Sequence, residues 1–143
     1  MRKIVSILIA VCLSFCMIGF SAYAEGPSSP TNPEIGINNL YTVNVSTGLG
    51  KAGSGINYNC DVFGKPNATR IQVFLYLQRF VNGAWTDVDM VSKSVTGQTL
   101  FVYDIYPSPV NGGLYRTEAH VITYSGVHSE DLYVHSATII YNS

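Results

Sequence analysis

The sequence predicts an all-β domain, a sandwich of two antiparallel sheets with about seven strands. Three observations support this fold class. After residue 25 the chain is rich in Tyr, Thr, Ser and Val and poor in Ala and Leu, a bias typical of strands. No stretch there repeats apolar residues with the period of a helix. Short apolar stretches instead recur between turn-forming residues, as they do in two-sheet sandwiches.

Seven segments have the composition and length of strands. The predicted strands are residues 37–46, 56–63, 71–81, 84–95, 99–105, 114–124 and 132–141. The segment 47–55 contains four glycines and is predicted to be a loop. Asn82-Gly83 predicts a two-residue hairpin turn between the third and fourth strands, because both residues tolerate the positive φ angles that such a turn requires.

Residues 1–24 have the three parts of a secretory signal peptide. Two basic residues follow the initial Met, the apolar stretch 4–20 is expected to be helical, and Ala22 and Ala24 are the small residues that signal peptidase reads. We therefore expect cleavage between Ala24 and Glu25 and a secreted, extracellular protein. The alternative is an uncleaved signal that anchors the protein, because the apolar stretch is nearly long enough to span a bilayer.

This cleavage site divides the chain into a signal peptide (1–24), a flexible leader rich in Pro and Ser (25–36) and the sandwich domain (37–143). Removing 24 of the 143 residues would leave 119, enough for one domain with its own core. Arg2 and Lys3 leave with the signal, so the net charge changes from −1 to −3. That charge argues against nucleic acid as a partner, and no membrane partner is expected after cleavage.

The cysteines do not form an internal disulfide framework. Cys12 and Cys16 lie in the predicted signal, so Cys60 is the one cysteine of the predicted mature chain. The simplest interpretation of Cys60 is a small buried strand residue. A reactive thiol or an intermolecular disulfide is the alternative.

The segment Gly113-Leu114-Tyr115-Arg116-Thr117-Glu118-Ala119 resembles the tyrosine corner of immunoglobulin-like domains. In those domains a Tyr lies two residues before the second cysteine of the inter-sheet disulfide. The resemblance implies an immunoglobulin-like sandwich with Cys60 at the position of the first cysteine. Thr117 stands at the second position, so that disulfide cannot form, and the only Trp, Trp85, lies beyond the hairpin instead of in the third strand.

Two motifs also resemble small uncharacterised secreted proteins of Gram-positive bacteria. They are Leu77-Gln78 followed by Val81-Asn82-Gly83-x-Trp85, and Gly113-x-Tyr115-Arg116-x-x-Ala119. The resemblance implies an exported bacterial protein, but it implies no known activity and assigns no functional residue.

No residue pattern predicts an enzyme, a cofactor or a metal site. Residues 48–53 match G-x-G-x-x-G, but a strand instead of a helix is expected after them, which argues against a phosphate site. Asp87 and Asp89 are expected on one strand face, with too few oxygen ligands nearby for calcium. We therefore predict a non-enzymatic protein without a cofactor. A small secreted hydrolase with an unrecognised site is the alternative.

His120 and His135 are expected to face each other across the last two strands, if their hairpin turns near Val127-His128. Two imidazoles are too few for a closed zinc site, so surface histidines are the simpler interpretation. A metal-binding or pH-sensitive pair is the alternative.

Side-chain alternation predicts one candidate functional surface. If Tyr115 and Thr117 point into the core, alternate residues of the third, fourth, sixth and seventh strands point outward, Tyr141 among them. We call this expected surface the aromatic face, and it comprises Phe74, Tyr76, Phe80, Trp85, His120, Tyr124, Tyr133 and His135. Contiguous aromatic surface usually marks a recognition site, which predicts binding of an extracellular protein or a glycan. The alternatives are self-association into a matrix or cell-surface structure, and coverage of the face by the leader or by another layer.

Overall fold

The computed structural model describes residues 39–107 and 110–142, which form two antiparallel sheets. The predicted signal peptide, its cleavage site at Ala24 and Glu25, and the predicted leader lie outside the described residues. The described part of the chain contains eight strands and no helix, and hence no helix able to cross a membrane.

The prediction of an all-β fold with two antiparallel sheets is confirmed, although the strands number eight instead of seven. They are β1 (Thr42–Ala52), β2 (Gly55–Gly64), β3 (Arg70–Val81), β4 (Ala84–Thr96), β5 (Thr99–Tyr106), β6 (Gly113–Ser125), β7 (His128–His135) and β8 (Ile139–Tyr141). One sheet has the order β1-β2-β5. The other has the order β4-β3-β6-β7, and β8 pairs with the beginning of β6.

The core lies between the facing sides of the two sheets. The inward side chains of β2 and β3 are fully buried, and they are Ile56, Tyr58, Cys60, Val62, Ile71, Val73, Leu75 and Leu77. β6 contributes Thr117 and Thr123, whose hydroxyls meet hydroxyls of β1. Oγ1 of Thr123 lies 2.8 Å from Oγ1 of Thr42, and Thr117 pairs with Thr47 in the same way. These pairs satisfy buried polar groups and align β1 with β6 across the core.

The prediction of a glycine-rich loop over residues 47–55 is wrong, because β1 continues almost to the end of that segment. Gly48 and Gly50 pair with Asn59 and Asn57 of β2. The amide oxygens of these two asparagines lie 3.2 and 2.9 Å from the positions that a Cβ atom on each glycine would occupy. The glycines therefore make room for cross-strand amides within a strand.

The predicted last strand, residues 132–141, is in fact divided into β7 and β8. Between them, the backbone N–H of Ser136 donates to the carbonyl of Thr117 at 3.0 Å, and the Ser136 hydroxyl accepts from the Thr117 N–H at 2.9 Å. The break changes which way the following residues face. Tyr141, which was expected to point outward, is buried and meets the ring of Tyr115 nearly edge-on at 6.4 Å.

The predicted Asn82-Gly83 turn joins β3 and β4, and both residues have positive φ angles, 52° and 85°. A second local device fixes the start of β6. The hydroxyl of Tyr115 donates to the carbonyl oxygen of Asn111, four residues upstream, at 2.7 Å. Because this hydroxyl is buried, desolvation raises the pKa of Tyr115.

A single carboxylate attaches the beginning of β1 to β7. Glu130 accepts hydrogen bonds from the backbone N–H groups of Leu40, Tyr41 and Thr42, the last two at 3.1 and 3.0 Å. These N–H groups belong to the segment that enters the first strand. The carboxylate thus takes the place of a strand partner there.

Candidate functional site: the aromatic face

The eight residues of the aromatic face lie on the outer side of the β4-β3-β6-β7 sheet. Strand pairing places them in successive rows across the sheet. Phe74, His120 and Tyr133 form one row, and Tyr76 and His135 flank Glu118 in the next. Phe80 pairs with Trp85 at the hairpin end, and Tyr124 lies opposite Arg70 at the other end. Successive side chains of a strand point to opposite faces. The residues adjacent to these eight along the strands point into the core, so the eight lie together on the outer surface.

A stack of three rings crosses the middle of the aromatic face. The ring of His120 lies parallel to that of Tyr133, with centroids 4.4 Å apart and planes 3° apart. On its other side His120 lies 5.8 Å from Phe74, with planes 23° apart. Tyr133 is the open end of the stack, since 64% of its surface is exposed.

The predicted pairing of His120 with His135 is wrong by two residues. His120 lies opposite Tyr133, and His135 lies opposite Glu118. The hairpin turns at Gly126-Val127, one residue earlier than expected, and a shift of one in the turn moves each pairing by two. An even shift preserves the face, so both histidines still point outward.

Each histidine of the aromatic face has its own carboxylate. Nε2 of His120 lies 2.8 Å from Oδ1 of Asp131, and Nε2 of His135 lies 2.7 Å from Oε2 of Glu118. Across residues 39–107 and 110–142, no cluster of three or more His, Cys, Asp or Glu side chains could hold a metal ion. Each histidine is therefore hydrogen-bonded to its own carboxylate, in two separate pairs on the surface.

A polar network holds Trp85 at the hairpin end of the aromatic face. The guanidinium of Arg116 lies over the Trp85 ring at 4.4 Å and donates through Nε to Gln78 at 2.8 Å. The ring of Phe80 also packs against the Trp85 ring, with centroids 5.2 Å apart and planes tilted by 60°. Burial lowers the pKa of Arg116, and the carboxylate of Glu118 opposes that shift. The cation and its partners keep the indole in a defined orientation.

Asp87 and Asp89 lie on opposite sides of β4, so the expectation that they share a face is wrong. Val88 is an extra residue that forms a bulge in the pairing with β3, and the bulge reverses the alternation. Asp87 accepts from Nε2 of Gln78 at 2.9 Å on the aromatic face. Asp89 instead accepts from the hydroxyl of Tyr58 at 3.0 Å, on the core side. Burial and this carboxylate both raise the pKa of Tyr58.

The aromatic face combines side chains that protein interfaces favour. Most of its rings are half-buried against one another, and Phe80, Tyr133 and His135 are exposed at its ends and side. Met90 lies opposite Tyr76 on the outermost strand and is also exposed. An aromatic centre with Met and Arg, bordered by charged pairs, is suited to recognition of another molecule.

Sequence reasoning missed a second exposed surface, on the outer side of the β1-β2-β5 sheet. Its prominent feature is a row of three exposed side chains on β5, which we call the β5 ridge: Phe101, Tyr103 and Ile105. The available signal was that β5 is apolar at both alternating sets of positions, whereas one buried face requires only one set.

No protein-family model matches the chain, and no curated protein matches it either. The described residues define a small all-β protein built from two antiparallel sheets, with aromatic surface on the outside of each sheet. The geometry of these surfaces is therefore the basis for the functional proposals.

Proposed function

We propose that the protein is a secreted, non-enzymatic, immunoglobulin-like module that binds an extracellular protein through the aromatic face. The strand order supports the immunoglobulin-like class. The orders β1-β2-β5 and β4-β3-β6-β7 correspond to strands A-B-E and C′-C-F-G of such domains. The hydrogen bond from Tyr115 to a carbonyl four residues upstream has the geometry of their tyrosine corner.

The observation that carries the binding proposal is the stack that ends at Tyr133. Its ring is parallel to His120 at 4.4 Å and is 64% exposed, so a rigid, oriented aromatic surface faces the solvent. Tyrosine and tryptophan anchors of this kind dominate the binding energy of many protein interfaces, because they bury a large area at a small cost in conformational entropy.

The charges on the aromatic face favour a protein as the ligand. Arg116 and Glu118 form an ion pair at 3.8 Å, and the two histidine–carboxylate pairs lie beside the ring stack. Charges of both signs within one aromatic patch can be matched by the mixed charges of a protein surface. A uniform polymer offers no such pattern.

Export places the partner outside the cell. The support for export is the positive start, the apolar stretch and the Ala22-x-Ala24 site of residues 1–24. N-terminal sequencing of the released protein should therefore begin at Glu25. A protein that stays in the membrane fraction with Met1 intact would instead support an anchored form.

The binding proposal is tested with matched variants of the two sheets. We would capture extracellular proteins on the wild-type chain, on Tyr133→Ala and on Trp85→Ala, with Tyr103→Ala of the other sheet as the control. The expected partner is retained by the wild type and by the control, and its purified form binds the two aromatic-face variants about tenfold more weakly or worse. Equal affinity for all four proteins would contradict the proposal.

A further inference from the structure

The outer side of the β1-β2-β5 sheet has three parallel rows of different chemistry. The β5 ridge forms the first row, and Asn57, Asn59 and Asp61 of β2 form the second, each opposite a ridge residue. The third row, on β1, is nearly bare, since Gly50 and Gly48 lie opposite the two asparagines. Apolar rings, hydrogen-bonding groups and a strand with few side chains thus lie side by side across one sheet.

The two rings of the β5 ridge, Phe101 and Tyr103, are nearly parallel and form an aromatic strip along the strand. Phe101 and Tyr103 are 51% and 47% exposed, their centroids are 6.3 Å apart, and their planes differ by 17°. Phe63 of β2 is also exposed and lies beside this strip, opposite Thr99. Two exposed, nearly parallel rings along one strand offer apolar aromatic contacts at successive positions of an extended ligand.

The amide row is held close to the bare strand. The side-chain oxygen of Asn57 lies beside Gly50, and it is buried without a hydrogen-bond partner within the part of the chain that the structure describes. Asn59 lies across Gly48 in the same way. Because both amide oxygens are turned toward the glycines, the amide N–H groups are the donors that this row can offer to ligand hydroxyl oxygens next to the aromatic strip.

The charge of this surface separates it from the aromatic face. Among the described outward residues of β1, β2 and β5, Asp61 is the single charged group on the face. Lys93 reaches the edge of β5 from β4 and donates to the carbonyl of Phe101 at 3.1 Å. A surface with one carboxylate and no cation row disfavours anionic polymers and suits an uncharged ligand.

The edge of β5 is closed to strand addition by a second copy of the chain. On the edge of β5 that does not pair with β2, Lys93 donates to the carbonyl of Phe101. The backbone N–H of Ile105 on the same edge donates to the carboxylate of Asp104 at 2.8 Å. Charged side chains on an edge strand are a common protection against sheet extension. The exposed rings are therefore available to a ligand that lies on the face.

From these features we infer that the outer side of the β1-β2-β5 sheet binds a neutral polysaccharide. Pyranose rings have apolar C–H faces that pack on the Phe101 and Tyr103 rings, and hydroxyl edges that reach the amides of Asn57 and Asn59. This surface is distinct from the aromatic face, and the ligand belongs to a different class from the protein partner proposed above. One molecule could thus hold a polysaccharide on one sheet and a protein on the other.

The test uses protein expressed from the full 143-residue sequence and collected as the host processes it. Retention is measured on cellulose, chitin, β-1,3-glucan and mannan, with polygalacturonate as the anionic control. We expect retention on at least one neutral polymer and none above background on polygalacturonate. The Phe101→Ala/Tyr103→Ala double variant should bind about tenfold more weakly or worse, and Tyr133→Ala should bind like the wild type.

A second variant tests the amide row without removing a ring. Gly50→Ala places a methyl group against the Asn57 amide and should weaken retention. Gly53→Ala on the adjoining turn adds a methyl with no neighbour within 4 Å, so it should lower stability through its positive φ angle but leave the amide row and retention intact. Thermal unfolding of every variant confirms that it is folded. The proposal is overturned if no neutral polymer retains the wild type, or if the double variant is retained as strongly as the wild type. It is also overturned if the main effect of the double variant is to abolish self-association of the protein. None of these outcomes affects the protein-binding proposal, because Tyr133→Ala serves here only as the control.

Discussion

Individual residues on the aromatic face are positioned mainly by stacking of flat side chains on their neighbours. His120 is placed between Phe74 and Tyr133, while Arg116 both covers Trp85 and donates to Gln78. An Arg can do both because its guanidinium is planar and keeps its donors in the plane of the group. The rings are therefore held in fixed orientations, which would lower the entropic cost of the proposed binding.

Cys60 is a structural residue of the core. It is fully buried in β2 and is a free thiol. Burial, with a smaller contribution from Asp61, raises the pKa of the Cys60 thiol from 9.0 to about 12. The uncharged thiol is thus the form that the core stabilises.

This pKa shift predicts a loss of stability in alkali. Between pH 9.0 and about 12 the unfolded chain releases the Cys60 proton while the folded protein keeps it. The stabilising contribution is therefore complete below pH 9 and is lost as the pH rises toward about 12. Urea unfolding across this range should show a steeper fall in unfolding free energy for the wild type than for Cys60→Ala. The raised pKa of Tyr58 contributes equally to both proteins, so it does not affect their difference. Parallel pH profiles would therefore contradict the raised pKa of Cys60.

At the scale of elements, local signals predicted some features and cross-strand partners decided others. The β3–β4 hairpin follows from Asn82-Gly83 alone, because the turn needs only those two residues. The extent of β1 does not follow from its own residues, since Gly48 and Gly50 are explained by Asn59 and Asn57 on another strand.

The end of the second sheet shows the same limit. The division between β7 and β8 depends on contacts of Ser136 with Thr117, which lies 19 residues earlier. The bulge at Val88 likewise depends on pairing with β3 and reverses the alternation that had placed both aspartates on one face. Both features reverse the side of the sheet toward which the following side chains point, so Tyr141 and Asp89 point toward the core.

Glu130 gives a prediction at the same scale. Its carboxylate accepts from three backbone N–H groups where the chain enters β1, so Glu130→Gln replaces an oxygen by a donor amide and leaves N–H groups without an acceptor. We expect unfolding free energy in urea to fall by about 1–3 kcal/mol. Amide hydrogen exchange at residues 40–42 should also accelerate.

A matched control for Glu130 lies next to it in β7. Asp131 pairs with His120 and is largely exposed, so Asp131→Asn should cost less than about 1 kcal/mol. If Asp131→Asn were as destabilising as Glu130→Gln, the carboxylate at residue 130 would have no special role in holding the start of β1.

For the whole molecule, period-2 alternation predicted which residues share an outer face, once the sandwich topology had grouped the third, fourth, sixth and seventh strands in one sheet. It could not predict the pairs within that face, because the position of the β6–β7 turn sets them and a one-residue difference replaced His135 by Tyr133 opposite His120. The β5 ridge was missed because facing was inferred only for the strands that join Tyr115 in one sheet.

With both proposed surfaces, the protein would be a module with two independent ligands. The aromatic face has rings beside histidine–carboxylate pairs, and the opposite sheet has rings beside uncharged amides. Because the sheets lie back to back, a ligand on one does not obstruct the other. In this proposal the fold separates the two recognition surfaces.

The most direct test of the central claim uses Trp85, the single tryptophan of the chain, which lies within the aromatic face. Its fluorescence is measured during titration with the purified protein partner. The proposed function predicts a blue shift, and acrylamide quenching that falls as the partner saturates. Tyr103→Ala should match the wild type, and Tyr133→Ala should need about tenfold more partner. Saturating partner that leaves both the emission and the quenching of Trp85 unchanged would contradict binding at the aromatic face.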